Sequence, residues 1–411
     1  MRPGLTPATA ALMLTLLLSL QPVTTDLMLT ALPSLAADLK APMAPVQLTL
    51  SATVLAFGLA QLFWGPVADR FGRRPVMLLG LVGYSLACVG AWTSMNIETL
   101  VLWRAAQGAA MAAAVVCARA MVRDLYEPHE GAGVMARALT GLGVVAILCP
   151  LLGGLLVSAF GWRAAIAGMG VCAVALTATI ASQLPETIRQ RNRHATRAAP
   201  LLHQSLAILR HPGFRAWTLL VACTYGGLYT TLASAGIVMI QVLQLSTTMA
   251  GLVLSLMGTS YIGGTLLCRR WLPRHGLVGT VGRAAWFSLA AGAMLAAVAV
   301  TDVRSVWLLM LSLCVFSVGH GMHQPCGQTG AVSAFPHAAG LASALAGFAL
   351  ALVAFGVGLW LGQALDGSVR PLATGVAAGA SLSALVAWTL VRRHGEPLPP
   401  VLPGAARPVA G

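Results

Sequence analysis

Along the chain, long apolar runs alternate with short polar breaks. Runs of about 20 residues, enough to cross roughly 30 Å of hydrocarbon as helices, fall near 8–35, 47–68, 75–94, 97–118, 134–159 and 163–184. A second set falls near 214–240, 249–268, 277–300, 304–328, 338–363 and 370–391. Hydrocarbon offers no partner to a free backbone N–H or C=O, so runs of this length are read as helices. The pattern predicts an all-α membrane protein with twelve transmembrane helices in two sets of six. The apolar stretch after Arg2 is longer than the core of a secretory signal, and further spans follow closely, so 8–35 is read as a retained first helix.

Composition agrees with the pattern. Of 411 residues, 58% are hydrophobic and 9% charged, against about a quarter charged in soluble domains. The net charge of +14 needs no nucleic-acid partner, because the basic residues sort by loop. With the N-terminus inside, the loops holding Arg2, Arg70–Arg74, Arg119, Arg123, Arg137, the 189–215 group, the 269–283 group and the C-terminal arginines share one side. The other side holds only Lys40, Arg163, Arg304 and Arg370. Short loops rich in Lys and Arg stay in the cytoplasm, so both termini are expected there, beside an anionic leaflet. The eight cysteines lie scattered within the spans, without paired spacing, and imply neither disulfides nor a metal site.

A polar stretch, "PETIRQRNRHATRAAPLLHQSLAILRHPG" at 185–213, separates the two sets. The expected division is a six-helix bundle at 1–184, a cytoplasmic linker at 185–213, a second bundle at 214–392 and a tail at 393–411. Within the linker, "LLHQSLAIL" reads either as an amphipathic helix on the membrane surface or as a plain tether. A faint internal repeat joins the halves: "GPVADRFGRR" follows span 2, and "LLCRRWLPRHG" follows span 8 with its basic residues but no acid.

Three motifs stand out. In the first, Gly65, Asp69, Arg70, Gly72, Arg73 and Arg74 share one loop. A positive-inside loop explains the arginines but not Asp69 or the spaced glycines; Gly72 permits a tight turn. Asp69 stands where it can pair with a basic group on a neighbouring helix. In the second, Leu100, Arg104, Gln107 and Gly108 lie on span 4, with Arg104 roughly 9 Å below the surface at 1.5 Å per residue. In the third, "CPLLGG" at 149–154, Pro150, Gly153 and Gly154 allow close helix approach and a relaxed backbone.

Twelve spans in paired sixes, with a basic loop after the second span of each, resemble the major facilitator superfamily over nearly the whole chain. The three motifs resemble that superfamily's loop signature, its intramembrane arginine motif and the proline-glycine motif of its antiporters. In the third, Cys149 and Val145 replace glycines of the fuller pattern. The segment from "TDLMLTALPSLAADL" through "GPVADRFGRRPVMLLGL", with "RAMVRDLY" and "FGWRAAI", is similar to the bicyclomycin and chloramphenicol resistance branch of the bacterial drug/proton antiporters. The resemblance implies a proton-coupled efflux transporter of the inner membrane, working by alternating access, with a gating loop around Asp69. Relatives can carry a second acid about two turns before Asp26; here Leu18 stands there, which favours neutral or zwitterionic amphiphiles.

Asp26 interrupts the first apolar run about 16 residues in, roughly 24 Å from one edge of the hydrocarbon. Such a carboxylate must face the bundle interior, where it can pair, meet water or take a proton. Arg104 arrives at a comparable depth, so Asp26, Arg104 and Gln107 form the expected coupling and substrate site. Lower-ranked candidates are Tyr225, Tyr229, Met239 and Gln241 on span 7, and His320 and His323 on span 10; Pro325 is expected to kink span 10. The two histidines read as local hydrogen bonding, as proton carriers or as part of a pocket, but lack the third ligand a metal needs.

No soluble catalytic domain fits in the chain, and it lacks the G-x-x-x-x-G-K-[ST] pattern of an ATP site. The expected partners are a small molecule, protons and the bilayer, with no cofactor, no enzymatic activity and a monomeric state. The runner-up is a proton-coupled transporter of a native metabolite such as a sugar or amino acid.

Overall fold

The computed structural model describes residues 7–126, 128–188, 191, 195–196, 198–335 and 338–396. Arg2 and the tail beyond residue 396 lie outside them.

In chain order the helices are α1 Pro7–Asp26, α2 Leu32–Asp38, α3 Met43–Phe71, α4 Arg73–Trp92, α5 Ile97–Leu125, α6 Pro128–Phe160 and α7 Trp162–Gln183. Then come α8 Ala198–Arg210, α9 Pro212–Ile237, α10 Thr247–Thr301, α11 Val306–Ser333, α12 Ala339–Ala364 and α13 Arg370–Val386. A π turn, Val238–Val242, prolongs α9, and a second, Ala387–Val391, prolongs α13. Among the described residues, eleven helices are long and apolar enough to cross a membrane. The longest, α10, is two spans in series: Gly276, at φ 63° and ψ −175°, breaks the helix between its arms. That backbone conformation is open to glycine and strained for other residues, and it restores the count to twelve.

The helices start and stop where local chemistry requires. Asn96, Ser246 and Ser305 cap α5, α10 and α11 by accepting from the N–H groups of Thr99, Met249 and Leu308. Gly72, at φ 111°, separates α3 from α4. Large apolar side chains such as Leu79, Leu86, Val174 and Trp307 stand exposed on the outer faces, which is where a bilayer would cover them.

Within the first bundle α5 packs on α1, α3 and α4, while α7 packs on α4. Within the second, α9 packs on α11, α12 and α13, and both arms of α10 belong to the same body. The bundles meet along α3 against α12 and α6 against α10. Small residues make these contacts possible, as expected where helices associate in lipid by close packing. A Cβ at Gly251 would come within 2.5 Å of the Pro150 oxygen, and one at Gly154 within 2.8 Å of the Thr247 oxygen.

One expectation changes. The first span is not continuous over 8–35: α1 ends at Asp26, residues 27–31 form turns, and α2 follows. Backbone bonds such as Met28 N–H to the Thr25 oxygen, 3.2 Å, tighten the chain there, so Asp26 sits at a helix break and not along a helix. Pro325, expected to kink span 10, lies inside α11, which runs on past it to Ser333.

Two ends are defined by these turns. The basic end carries Gly72, the Gly276 break and the end of α13; the opposite end carries the 27–42 turn.

Candidate functional site

The second motif folds into a knot of hydrogen bonds in the first bundle. Gly108 lets the α5 backbone lie directly on Thr53 of α3, with no room for a Cβ. One turn earlier on both helices, Arg104 reaches Thr49. Its Nε donates to the Thr49 oxygen at 3.4 Å, one Nη to Gln107 Oε1 at 2.7 Å and the other to the Thr24 oxygen at 2.7 Å. The Met169 sulfur lies 3.6 Å from the guanidinium, and Gln107 Nε2 donates to Cys88 Sγ at 3.0 Å. Thr24 Oγ1 and Tyr84 Oη share a hydrogen bond at 2.6 Å. Arg104 is 0% exposed, so one cation ties together α1, α3, α5 and α7.

The expected partnership of Arg104 with Asp26 does not form. Asp26 accepts from the Thr25 hydroxyl at 2.7 Å, and none of the ion pairs among the described residues includes it. The reason is the helix break. The last turn of α1 presents its main chain to α5 and turns the Asp26 carboxylate towards the boundary between the bundles. There it lies close enough to Cys149 of α6 and Tyr225 of α9 to interact electrostatically. Tyr229, one turn beyond Tyr225, is in the same relation to Arg104, and the two tyrosine rings are 6.4 Å apart.

Asp26, Arg104, Gln107, Tyr225 and Tyr229 therefore come together, and other candidates do not. His320 Nδ1 meets Thr224 Oγ1 at 2.9 Å, and His323 Nε2 meets Ser288 Oγ at 3.1 Å. Both are local hydrogen bonds inside the second bundle. Met239 and Gln241 fall in the π turn that prolongs α9, about 20 Å along the axis from Tyr225 at 1.5 Å per residue. The sequence reading also missed residues. Gln47, Thr49, Ser51 and Thr53 of α3 are all 0% exposed, and Gln47 Nε2 crosses to the Ala233 oxygen of α9 at 2.8 Å. Their signal was present as "QLTLSAT", polar residues at every second position in an apolar helix.

The Asp69 motif forms a second cluster, at the basic end. Arg73, the first residue of α4, pairs with Asp69 of α3 at 2.5 Å and with Asp124 of α5 at 3.1 Å. Its N–H donates to Glu186 Oε1 at 2.9 Å, which also accepts from the N–H groups of Thr187 and Ile188. A Cβ on Gly72 would run into the Glu186 carboxylate. Arg70 and Arg74 reach Thr196 Oγ1 and the Ala181 oxygen, each at 2.7 Å. A Cβ on Gly65 would meet only Val116, at 4.0 Å, so that glycine carries no tight contact.

The third motif lies at the seam. A Cβ on Gly153 would come within 2.5 Å of the Leu27 oxygen, so α6 packs directly on the turn that follows Asp26. Gly236 of α9 meets the Leu29 oxygen of the same turn. The bundles are thus closed against each other at the opposite end. There Asp38 of α2 accepts from Trp162 Nε1 at 2.9 Å and from Arg163 at 2.6 Å, and Arg163 also reaches the Ser94 oxygen at 3.2 Å. A cavity of about 940 Å³ opens elsewhere, between α4 and α7, against Leu86, Trp92, Val171 and Val174.

Two packed bundles with a buried polar knot, a carboxylate at their seam and glycine-lined contacts between them define a multi-pass membrane transporter of small molecules, not an enzyme. The chain belongs to the major facilitator superfamily, whose family model matches residues 14–358. Its relatives include multidrug resistance protein D of Escherichia coli, 31% identical over 336 residues, 82% of this chain and 84% of the relative. The bicyclomycin resistance protein homolog of Haemophilus influenzae is 26% identical over 80% of this chain and 81% of the relative. The chloramphenicol resistance protein of Pseudomonas aeruginosa is 29% identical over 77% and 74%. Among solved structures, the D-xylose-proton symporter superposes with a TM-score of 0.73 at 17% identity, covering 92% of this chain and 97% of the symporter. A bacterial homologue of the lysosomal transporter Spinster, inward-facing and occupied, gives 0.71 at 14% identity, covering 95% and 98%. At these identities the superpositions speak for the fold.

Proposed function

We propose that the chain exports small amphiphilic drugs, phenicol-like or bicyclomycin-like, across the bacterial inner membrane in exchange for protons. The observation that carries this reading is the position of Asp26: a carboxylate at the end of a broken helix, on the seam between bundles, with a hydroxyl and, among the described residues, no cation as its partner. A lone carboxylate at membrane depth is costly unless it meets water or takes a proton. On the seam it changes neighbours whenever the bundles rock. Protonated when the opposite end opens and deprotonated when the basic end opens, it couples inward proton flow to outward movement of a ligand.

The drug-resistance relatives support this substrate class. Tyr225 and Tyr229 offer aromatic faces, and the buried polar row of α3 already donates to main-chain oxygens, which suits an amphiphile better than a sugar, which needs many convergent hydrogen bonds. In this reading the basic end is cytoplasmic, residues 1–184 and 214–392 rock as two bodies joined by 185–213, and the Asp69–Arg73–Asp124 cluster gates the basic end.

Everted vesicles with an imposed proton gradient test this. Adding chloramphenicol or bicyclomycin should release protons from the loaded lumen. Proton movement with sugars or amino acids but with neither drug would replace this reading with the metabolite transporter.

A further inference from the structure

The two halves treat their matching basic loops in opposite ways. In the first bundle the arginines after α3 are engaged: Arg70 with Thr196, Arg73 with Asp69 and Asp124, and Arg74 with the Ala181 oxygen. At the corresponding point of the second bundle, around the Gly276 break, the side chains of Arg269, Arg270 and Arg274 have no hydrogen bond, ion pair or ring contact among the described residues. All three are exposed. The same holds for Arg392 and Arg393 at the end of α13.

These groups share one surface. Trp388 Nε1 donates to the Gly282 oxygen at 2.8 Å, so the end of α13 lies on the second arm of α10, and Arg392 continues one turn beyond that contact. Arg283 also turns towards the break, its guanidinium donating to the Gly279 oxygen at 3.0 Å. Between Glu186 and Glu396 the only acids are Asp302 and Asp366, and both lie in connections between helices at the opposite end. Glu396, exposed three residues after Arg393, is the acid nearest this surface in sequence, and it forms no ion pair with these arginines among the described residues. Trp286, 63% exposed, has its ring centroid 4.8 Å from that of Trp388, one turn before Arg392, and tryptophan is enriched where a membrane protein meets the lipid headgroups.

We propose that this surface, formed by the Gly276 break of α10 and the end of α13, binds the phosphate of an anionic phospholipid. A lipid phosphodiester supplies the anion that the protein withholds here and provides in the first bundle through Asp69, Asp124 and Glu186. Guanidinium groups bond phosphate oxygens in pairs, and the exposed Trp286 ring rests on the adjoining acyl region. The bound headgroup joins the two arms of α10 across the break, as the Asp69 cluster joins α3 to α4.

The purified protein, titrated with phosphatidylglycerol or with phosphatidylcholine and followed by native mass spectrometry and thermal melting, tests this. Phosphatidylglycerol should bind and raise the melting temperature, and phosphatidylcholine should do neither. Combining Arg269→Gln, Arg270→Gln and Arg274→Gln should weaken phosphatidylglycerol binding on the order of a hundredfold, whereas the three Lys substitutions should retain most of it. Equal binding of both lipids by the native chain, or unchanged affinity in the Gln variant, overturns the proposal. Should the Gln variant fail to insert, the native chain decides: displacement of phosphatidylglycerol by rising salt supports the proposal, and salt-insensitive binding overturns it.

Discussion

Arg104 donates to the main-chain oxygen of Thr24 at 2.7 Å, not to the carboxylate of Asp26 two residues later. The guanidinium therefore acts on Asp26 through the backbone. It holds the last turn of α1 in place and leaves the carboxylate free at the seam.

Replacing Arg104 by Lys tests that geometry. An ammonium cannot span Thr24, Thr49 and Gln107 together, and loss of one charged hydrogen bond costs about 2 kcal/mol. The variant should melt at lower temperature and export at least about tenfold more slowly, a barrier change of about 1.4 kcal/mol or more. The pH optimum of transport should stay where it is, because no ion pair is broken. A shifted optimum would show that Arg104 meets the carboxylate during the cycle.

Asp26→Asn mimics a carboxyl that never releases its proton. It removes a buried charge, so the protein should insert and fold normally. Uphill efflux and drug-driven proton release should both vanish, while downhill exchange of labelled drug continues. Persistent proton release would pass the carrier role to another group, with His320 and His323 next.

At the seam, Gly154→Leu places a side chain where a Cβ alone would sit 2.8 Å from the Thr247 oxygen. Overpacking of this kind costs about 1–3 kcal/mol, and the cost falls on the state closed at the opposite end. Cysteine labelling at that end should become faster and turnover slower. Unchanged labelling would mean that α6 and α10 do not close on this contact.

Asp69→Asn leaves Arg73 its bond to Asp124 at 3.1 Å. Asp69 is 44% exposed on its side chain, so the lost pair is worth at most about 1 kcal/mol. Drug affinity, measured by scintillation proximity, should be unaltered and the alternation rate several-fold lower. Collapse of affinity at an unchanged rate would place Asp69 in the binding site.

Asp38 gives a pH signature outside the membrane-spanning segments. The Trp162 indole and the Arg163 guanidinium hold its carboxyl below the ordinary carboxylate range. A depressed folded value means that the contribution is complete above the unfolded value, about 4, and is lost as pH falls through the folded one. Asp38→Asn should therefore lower the melting temperature near pH 7, with the difference from the native chain closing only in strong acid. A difference that persists when the carboxylate is neutral would assign the effect to packing.

The sequence by itself determined the class of solvent, the number of spans and the polar residues that must face inward. Each follows from local quantities: run length against bilayer thickness, loop charge, and the cost of a polar group in hydrocarbon. It also marked Gly72 as the place of a tight turn. Only the tertiary structure decided which inward residues meet. The break after Asp26 carries no proline or glycine at the break itself. Pro33, at the start of α2, lacks the N–H that would carry a helix back to Leu29, and the turn at 27–31 that results is held against Gly153 of α6 and Gly236 of α9, residues more than a hundred positions away. That break rotates Asp26 away from Arg104, so equal depth did not become contact. The basic loops already differed in sequence by Asp69, but the other acids that engage the first of them, Asp124 and Glu186, arrive from distant parts of the chain and had to be placed by the fold.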